Sequence, residues 1–136
     1  RRMTAVTPKE GRHHMSTVDL QESTFTQTLE DNDIVFVDFW AEWCGPCRSF
    51  APVYDKISEE FPGVVFAKVD TEAEQALAQG FQITSIPTLM AIRDKVVLFS
   101  QAGALPEPAL RDLVTKVQAV DMDDVRTQIA AQNQGG

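Results

Sequence analysis

The stretch from Phe39 to Phe50, "FWAEWCGPCRSF", holds both cysteines and both tryptophans of a 136-residue chain. Only Gly45 and Pro46 separate Cys44 from Cys47. Two cysteines at this spacing can brace a fold, supply half of a metal site, or exchange electrons. Bracing is a weak use, because so short a loop constrains the unfolded chain little and a chain of this length can bury a core unaided. A closed zinc site wants four ligands, and the remaining candidates are His13 and His14, adjacent in a polar leader and read as incidental. Electron exchange is the chemistry the pair favours. A C-x-x-C that opens a helix directly after a buried strand places Cys44 at the helix N-terminus, where unpaired N–H groups and the helix dipole stabilise a thiolate. Pro46 fits the first turn, and Cys47 lies one turn along, within bridging reach. On this reading Cys44 sits at an exposed helix start and Cys47 is shielded.

The surrounding elements must position that pair. "DIVFVDFWA" is an almost unbroken apolar run rich in Val, Ile and Phe, which suits a strand buried on both faces. "VVFAKVD" reads as a second inner strand and "TVDL" as a short one; "ESTFTQTLED" sets Phe25 and Leu29 on one helix face, and "EAEQALAQ" is a short helix. "TLMAIRD" and "KVVLFSQ" suggest an antiparallel hairpin, although "RDK" lacks the glycine that a tight turn favours. A helix from Pro106 carries Leu110, Leu113, Val114 and Val117 on one face. Strands and helices alternate early, and a hairpin and a helix follow, which predicts an α/β fold with a central mixed β-sheet sandwiched by helices.

An apolar content of 43% fits one domain. Residues 1–15 show no apolar periodicity and read as a mobile leader or an expression remnant, 16–120 as the domain, and 121–136 as a C-terminal extension. Met122, Val125 and Ile129 have helical spacing within that extension, but its polarity favours a frayed acidic tail over a docked helix. Twenty acidic against twelve basic residues give a net charge of -8. Such a body repels phosphate backbones, which disfavours nucleic-acid and acidic-membrane binding. No apolar run approaches the length of a membrane span and no secretory signal is visible, so the expected location is cytoplasmic.

"VDFWAEWCGPCRSFAPVYDKI", "AKVD", "SIPT" and "AGAL", in that order, resemble the thioredoxin family over roughly residues 17–120. The resemblance implies the thioredoxin fold and assigns further roles. Asp38, a carboxylate between bulky apolar neighbours, matches the buried aspartate that moves the proton of the second cysteine, and Lys68 the lysine that approaches and modulates it. Pro87 matches a cis-proline facing the disulfide, and the backbone of Ile86 before it pairs with the bound substrate chain. Trp43 resembles the exposed tryptophan of the site loop, Trp40 the one packed beneath it, and Pro52 a proline that kinks the second helix. Gly103 and Ala104 resemble the flat rim of the substrate groove. Arg48 stands where the family usually has lysine, which keeps the charge.

The resemblance implies a monomeric protein-disulfide reductase with Cys44 as nucleophile and Cys47 as resolving thiol. It carries no metal and no bound cofactor beyond the redox-active Cys44–Cys47 disulfide. Its partners are disulfide-containing protein substrates and a thioredoxin reductase, an NADPH-linked flavoenzyme. Two alternatives stay open at this level: an oxidase or isomerase of higher potential, and a subunit that binds through its groove without redox turnover.

Overall fold

The computed structural model describes residues 16–135. The leader, with His13 and His14, lies outside the described residues. The elements are β1 (Thr17–Asp19), α1 (Glu22–Asp31), β2 (Ile34–Trp40), α2 (Gly45–Glu60), β3 (Val65–Asp70), α3 (Gln75–Gly80), β4 (Thr88–Arg93), β5 (Val96–Ala102), α4 (Glu107–Ala119) and α5 (Met122–Gly135). They form one five-stranded mixed sheet in the order β1-β3-β2-β4-β5. β1, β3 and β2 run parallel, while β4 and β5 form the antiparallel half.

The apolar run of the central strand is explained by its two covered faces. Alternate side chains of a strand point to opposite sides. Val35, Val37 and Phe39 pack with Phe25 and Leu29 of α1 and with Leu77 of α3. Phe36, between them, packs with Phe50, Tyr54 and Ile57 of α2 and with Leu110, Val114 and Val117 of α4. Every residue from Val35 to Phe39 is buried. Each fully buried large apolar side chain contributes about 1.5–3 kcal/mol relative to exposure, so a polar residue in this strand is a deliberate exception. Asp38 is that exception. It lies two residues after Phe36 and so shares the sheet face that α2 covers.

The expected hairpin forms, and its turn is as short as a hairpin allows. Asp94 and Lys95 alone connect β4 to β5, both with left-handed backbone (φ 51° and 68°) that glycine or asparagine usually supplies. Neighbours hold the turn in place of a glycine. The Asp94 N–H donates to the Asp33 carbonyl (2.8 Å), and its carboxylate receives Arg126 Nη1 from α5 (3.2 Å).

The chain beyond Val120 is not the frayed tail that its polarity suggested. It is helical from Met122, and the reason lies at the junction with α4. Arg93 Nη1 donates to the carbonyls of Val117 (2.9 Å), Gln118 (3.0 Å) and Val120 (2.8 Å), occupying acceptors that a helix end leaves unsatisfied. Asp121 Oδ1 accepts from the Asp124 N–H (3.2 Å) at the start of α5, and Met122 is buried. Ile129 is exposed, so the helix docks by its first turns only.

Candidate active site

The carboxyl end of β2 leads through a three-residue loop edge, Ala41, Glu42 and Trp43, into α2, and this junction places the cysteines. Cys44 is the N-cap of α2: its backbone is extended, and its sulfur accepts the Cys47 N–H at 3.2 Å. Cap positions favour side chains that accept from the free N–H groups of the first turn, and sulfur takes that place here. Pro46 occupies the first turn, where no hydrogen bond is lost. Cys44 and Cys47 are joined as a disulfide with Cα atoms 5.2 Å apart, inside the range a bridge requires. Pro52 lies within α2 as the sequence indicates.

The sulfurs are more enclosed than the sequence suggested. Cys44 is 4% exposed and Cys47 2%, so in the disulfide form both count as buried, and the contrast between an exposed and a shielded cysteine is small. Ala41, Trp40 and Ile86 pack around the pair and account for this. The Ile86 carbonyl lies 3.8 Å from Cys44 Sγ, and the Ile86–Pro87 peptide bond is cis. Gly103 joins the same neighbourhood by donating its N–H to the Pro87 carbonyl (2.8 Å). Its φ of +107° is one that L side chains rarely adopt. Space around it is open, so the backbone angle rather than a neighbouring atom demands glycine there. Ala104 beside it is exposed.

Trp43 is 68% exposed, and its indole N–H donates to Glu72 Oε2 (3.3 Å). Arg48 donates to the Glu42 carbonyl (3.1 Å), closing the loop from the other side. Glu72 was invisible as a site residue in the sequence, where it is one acid in a polar stretch; only the fold brings it to the indole.

Asp38 is 1% exposed and neither carboxylate oxygen has a hydrogen-bond partner. Burial pushes its carboxyl up to about 7, against a partial downward pull from the Lys68 ammonium and a further upward push from Asp55 of α2. Lys68 stands opposite Asp38 in the parallel β2–β3 register. Its ammonium rests over the Trp40 ring, 4.8 Å from the centroid. Tyr54, one residue before Asp55, is fully buried and donates its hydroxyl to the Ala67 carbonyl (2.8 Å), tying α2 to β3 beside Lys68. Neither Tyr54 nor Asp55 stood out in the sequence, since a core aromatic and a helix acid carry no special signal.

A disulfide capping a helix at the carboxyl end of the central strand of this sandwich defines a thiol–disulfide oxidoreductase. Comparison with known proteins agrees. The family model described as Thioredoxin matches residues 16–116. A Streptomyces coelicolor protein that carries the name of a thioredoxin 2 is 56% identical over 117 residues, covering 86% of this chain and 87% of that one. Thioredoxin 1 of Nostoc sp. is 41% identical over 97 residues, 70% of this chain and 91% of its own. Among solved structures, a mutant thioredoxin from Halobacterium salinarum superposes with a TM-score of 0.71 at 31% identity, covering 82% of this chain and 99% of that one. Plasmodium falciparum thioredoxin gives 0.69 at 33% identity, covering 74% and 98%. The chain belongs to the thioredoxin family and has the thioredoxin fold.

Proposed function

We propose that the protein reduces protein disulfides, with Cys44 as nucleophile and Cys47 as resolving thiol. The observation that carries this is Cys44 Sγ as the N-cap acceptor of α2, since the same N–H and helix dipole that it meets in the disulfide would stabilise its thiolate after reduction. The Cys44 thiolate attacks one sulfur of the target disulfide. A Cys44–target bond forms as the target S–S bond breaks, and the departing sulfur takes a proton from solvent. Cys47 then gives its proton towards Asp38 and attacks Cys44, releasing the second target thiol and leaving the Cys44–Cys47 disulfide. The target disulfide gains two electrons and two protons and is reduced to two thiols; the Cys44/Cys47 dithiol loses the same two electrons and is oxidised to the disulfide.

Asp38 suits this step because a carboxyl held near neutrality can take up a proton and return it. Lys68 modulates it through its charge. Trp43, Ile86, Pro87, Gly103 and Ala104 form the groove for an extended target chain, with the Ile86 backbone pairing to it, and Trp40, Gly45 and Pro46 complete the loop. The reaction is assigned to the disulfide alone, with no metal or bound cofactor. Restoration of the dithiol falls to a thioredoxin reductase, an NADPH-linked flavoenzyme. The working state is a cytoplasmic monomer that engages neither nucleic acid nor membrane; no helix among the described residues is long and apolar enough to cross a bilayer.

Reduction of insulin disulfides, with NADPH and such a reductase supplied, tests the proposal. Turnover should require both cysteines. If the dithiothreitol-reduced, folded protein also fails to reduce insulin in a single turnover, the reading is wrong.

A further inference from the structure

Trp40 touches both halves of the site. Its carbonyl accepts from Thr71 N (2.9 Å) and Thr71 Oγ1 (3.1 Å), which fixes its backbone, and its side chain packs against the cluster of Ala41, Cys44 and Cys47. The Lys68 ammonium lies over its ring at 4.8 Å from the centroid. Asp38 is the cross-strand neighbour of Lys68, yet it accepts no hydrogen bond from that ammonium or from any other group. The cation therefore has two possible seats, the ring face and the carboxylate, and it occupies the ring. A cation over the face of an indole is held by the ring quadrupole, more firmly where water is partly excluded.

We propose that Trp40 is a positioning residue for proton transfer: its ring tethers the Lys68 ammonium beside Asp38, at a seat that makes no hydrogen bond to the carboxylate. The distinction has a chemical consequence. A closed, hydrogen-bonded pair would keep the carboxylate charged and unable to accept the Cys47 proton. An ammonium free in solvent would lose most of its influence on the carboxyl. Seated on the ring, it supports the charged form in part and leaves both oxygens open. The other charged and titratable groups around Asp38 are Asp55 and Tyr54, both on α2. The inference rests on Asp38 acting in proton transfer, as proposed above, but its structural core concerns the titration of Asp38 and can be read without any substrate.

The experiment follows the Asp38 carboxyl by carbon NMR in the oxidised protein, labelled at aspartate, across a pH titration. In Trp40→Leu the freed ammonium should move into water and the Asp38 midpoint should rise by about half a pH unit. Trp40→Phe, which keeps a ring face, should stay near the parent value. In a Lys68→Met background the midpoint should already be raised, and Trp40→Leu should add little. A shift of the same size in both backgrounds, in either direction, would mean that the ring acts by excluding water, and it would overturn the proposal. So would no shift in Trp40→Leu. A multiply fluorinated tryptophan at position 40 keeps the shape while weakening the ring face, and it decides the matter if Trp40→Leu does not fold: a raised midpoint supports the proposal and an unchanged one overturns it. Because the midpoint is measured without a substrate, a protein inactive toward insulin would still give a clear answer.

Discussion

The two ends of the sheet treat polar groups in opposite ways. At the carboxyl end of β2, Asp38 and the Trp40 indole nitrogen are buried without hydrogen-bond partners, and the nearby Lys68 ammonium rests on a ring. At the other end, where Ile34 pairs with Arg93, the polar groups are densely matched. Arg93 serves three carbonyls, Arg126 joins Asp94 and Asp123, and the Asp94 N–H meets Asp33. An unpaired buried polar group costs stability, whereas a satisfied one is neutral or favourable. On the function proposed above, the site end keeps groups available for reaction at the expense of the fold, and the far end serves the fold alone.

Five substitutions can break or sharpen that contrast. The largest effect belongs to Cys44→Ser, which should reduce exchange with insulin to background while leaving the far end intact. Peptide mass analysis should then find no mixed disulfide, whereas Cys47→Ser should accumulate one at Cys44.

Asp38→Ala comes next, with opposite effects on stability and rate. Its folded-state carboxyl at about 7 exceeds the ordinary 3.8, so the folded state binds the extra proton and stability falls as pH rises between these values, then stays level above both. Removing the carboxyl should therefore stabilise the fold at pH 8 relative to pH 4, by on the order of 3–4 kcal/mol. Urea unfolding at the two pH values measures this, and equal gains would argue against the cost of burial. Exchange should slow by roughly tenfold to a hundredfold near neutrality, at or below the usual range for a general acid–base group.

Arg93→Leu tests the other end. Loss of a charged donor to three carbonyls should cost about 2–3 kcal/mol of stability with insulin reduction unchanged in the folded protein. A change in rate at constant fold would show that the ends are coupled. The smallest effect is expected from Lys95→Gly, which relieves a left-handed residue and should raise the unfolding free energy by about 1 kcal/mol, again without affecting the rate.

How much of this was legible in the sequence varied with the kind of information needed. The central strand, the helix that opens at Cys44, the hairpin and the α4 stripe all follow from local periodicity, and each formed within a residue or two of where it was expected. Burial of Asp38 followed from its bulky neighbours. Contacts set by register did not follow, because nothing in "VDFW" or "AKVD" says that the Lys68 head would seat on Trp40 instead of closing on Asp38. The depth of the cysteines was misjudged for a related reason, since the side chains that cover them come from segments as distant as Ile86. α5 was missed because its apolar spacing is sparse and its docking depends on Arg93, nearly thirty residues earlier. The turn at Asp94 and Lys95 broke a local rule that only tertiary contacts could override.

The edges of the sheet have a consequence for crowding and self-association. A protein that offers backbone groups to extended chains risks offering them to copies of itself, and open strand edges are the usual place where this begins. Here β1 pairs through only three residues, Thr17 to Asp19, and ends on an acid. The β4–β5 ladder carries a register shift at Ala91 and Ile92, where an irregularity of this kind bends a strand, and the outer strand carries Ser100 and Gln101 just before its last residue, Ala102. Both margins are poor templates for a further strand. On the function proposed above, an extended target chain would instead pair with the short backbone beside Ile86, away from both edges of the sheet.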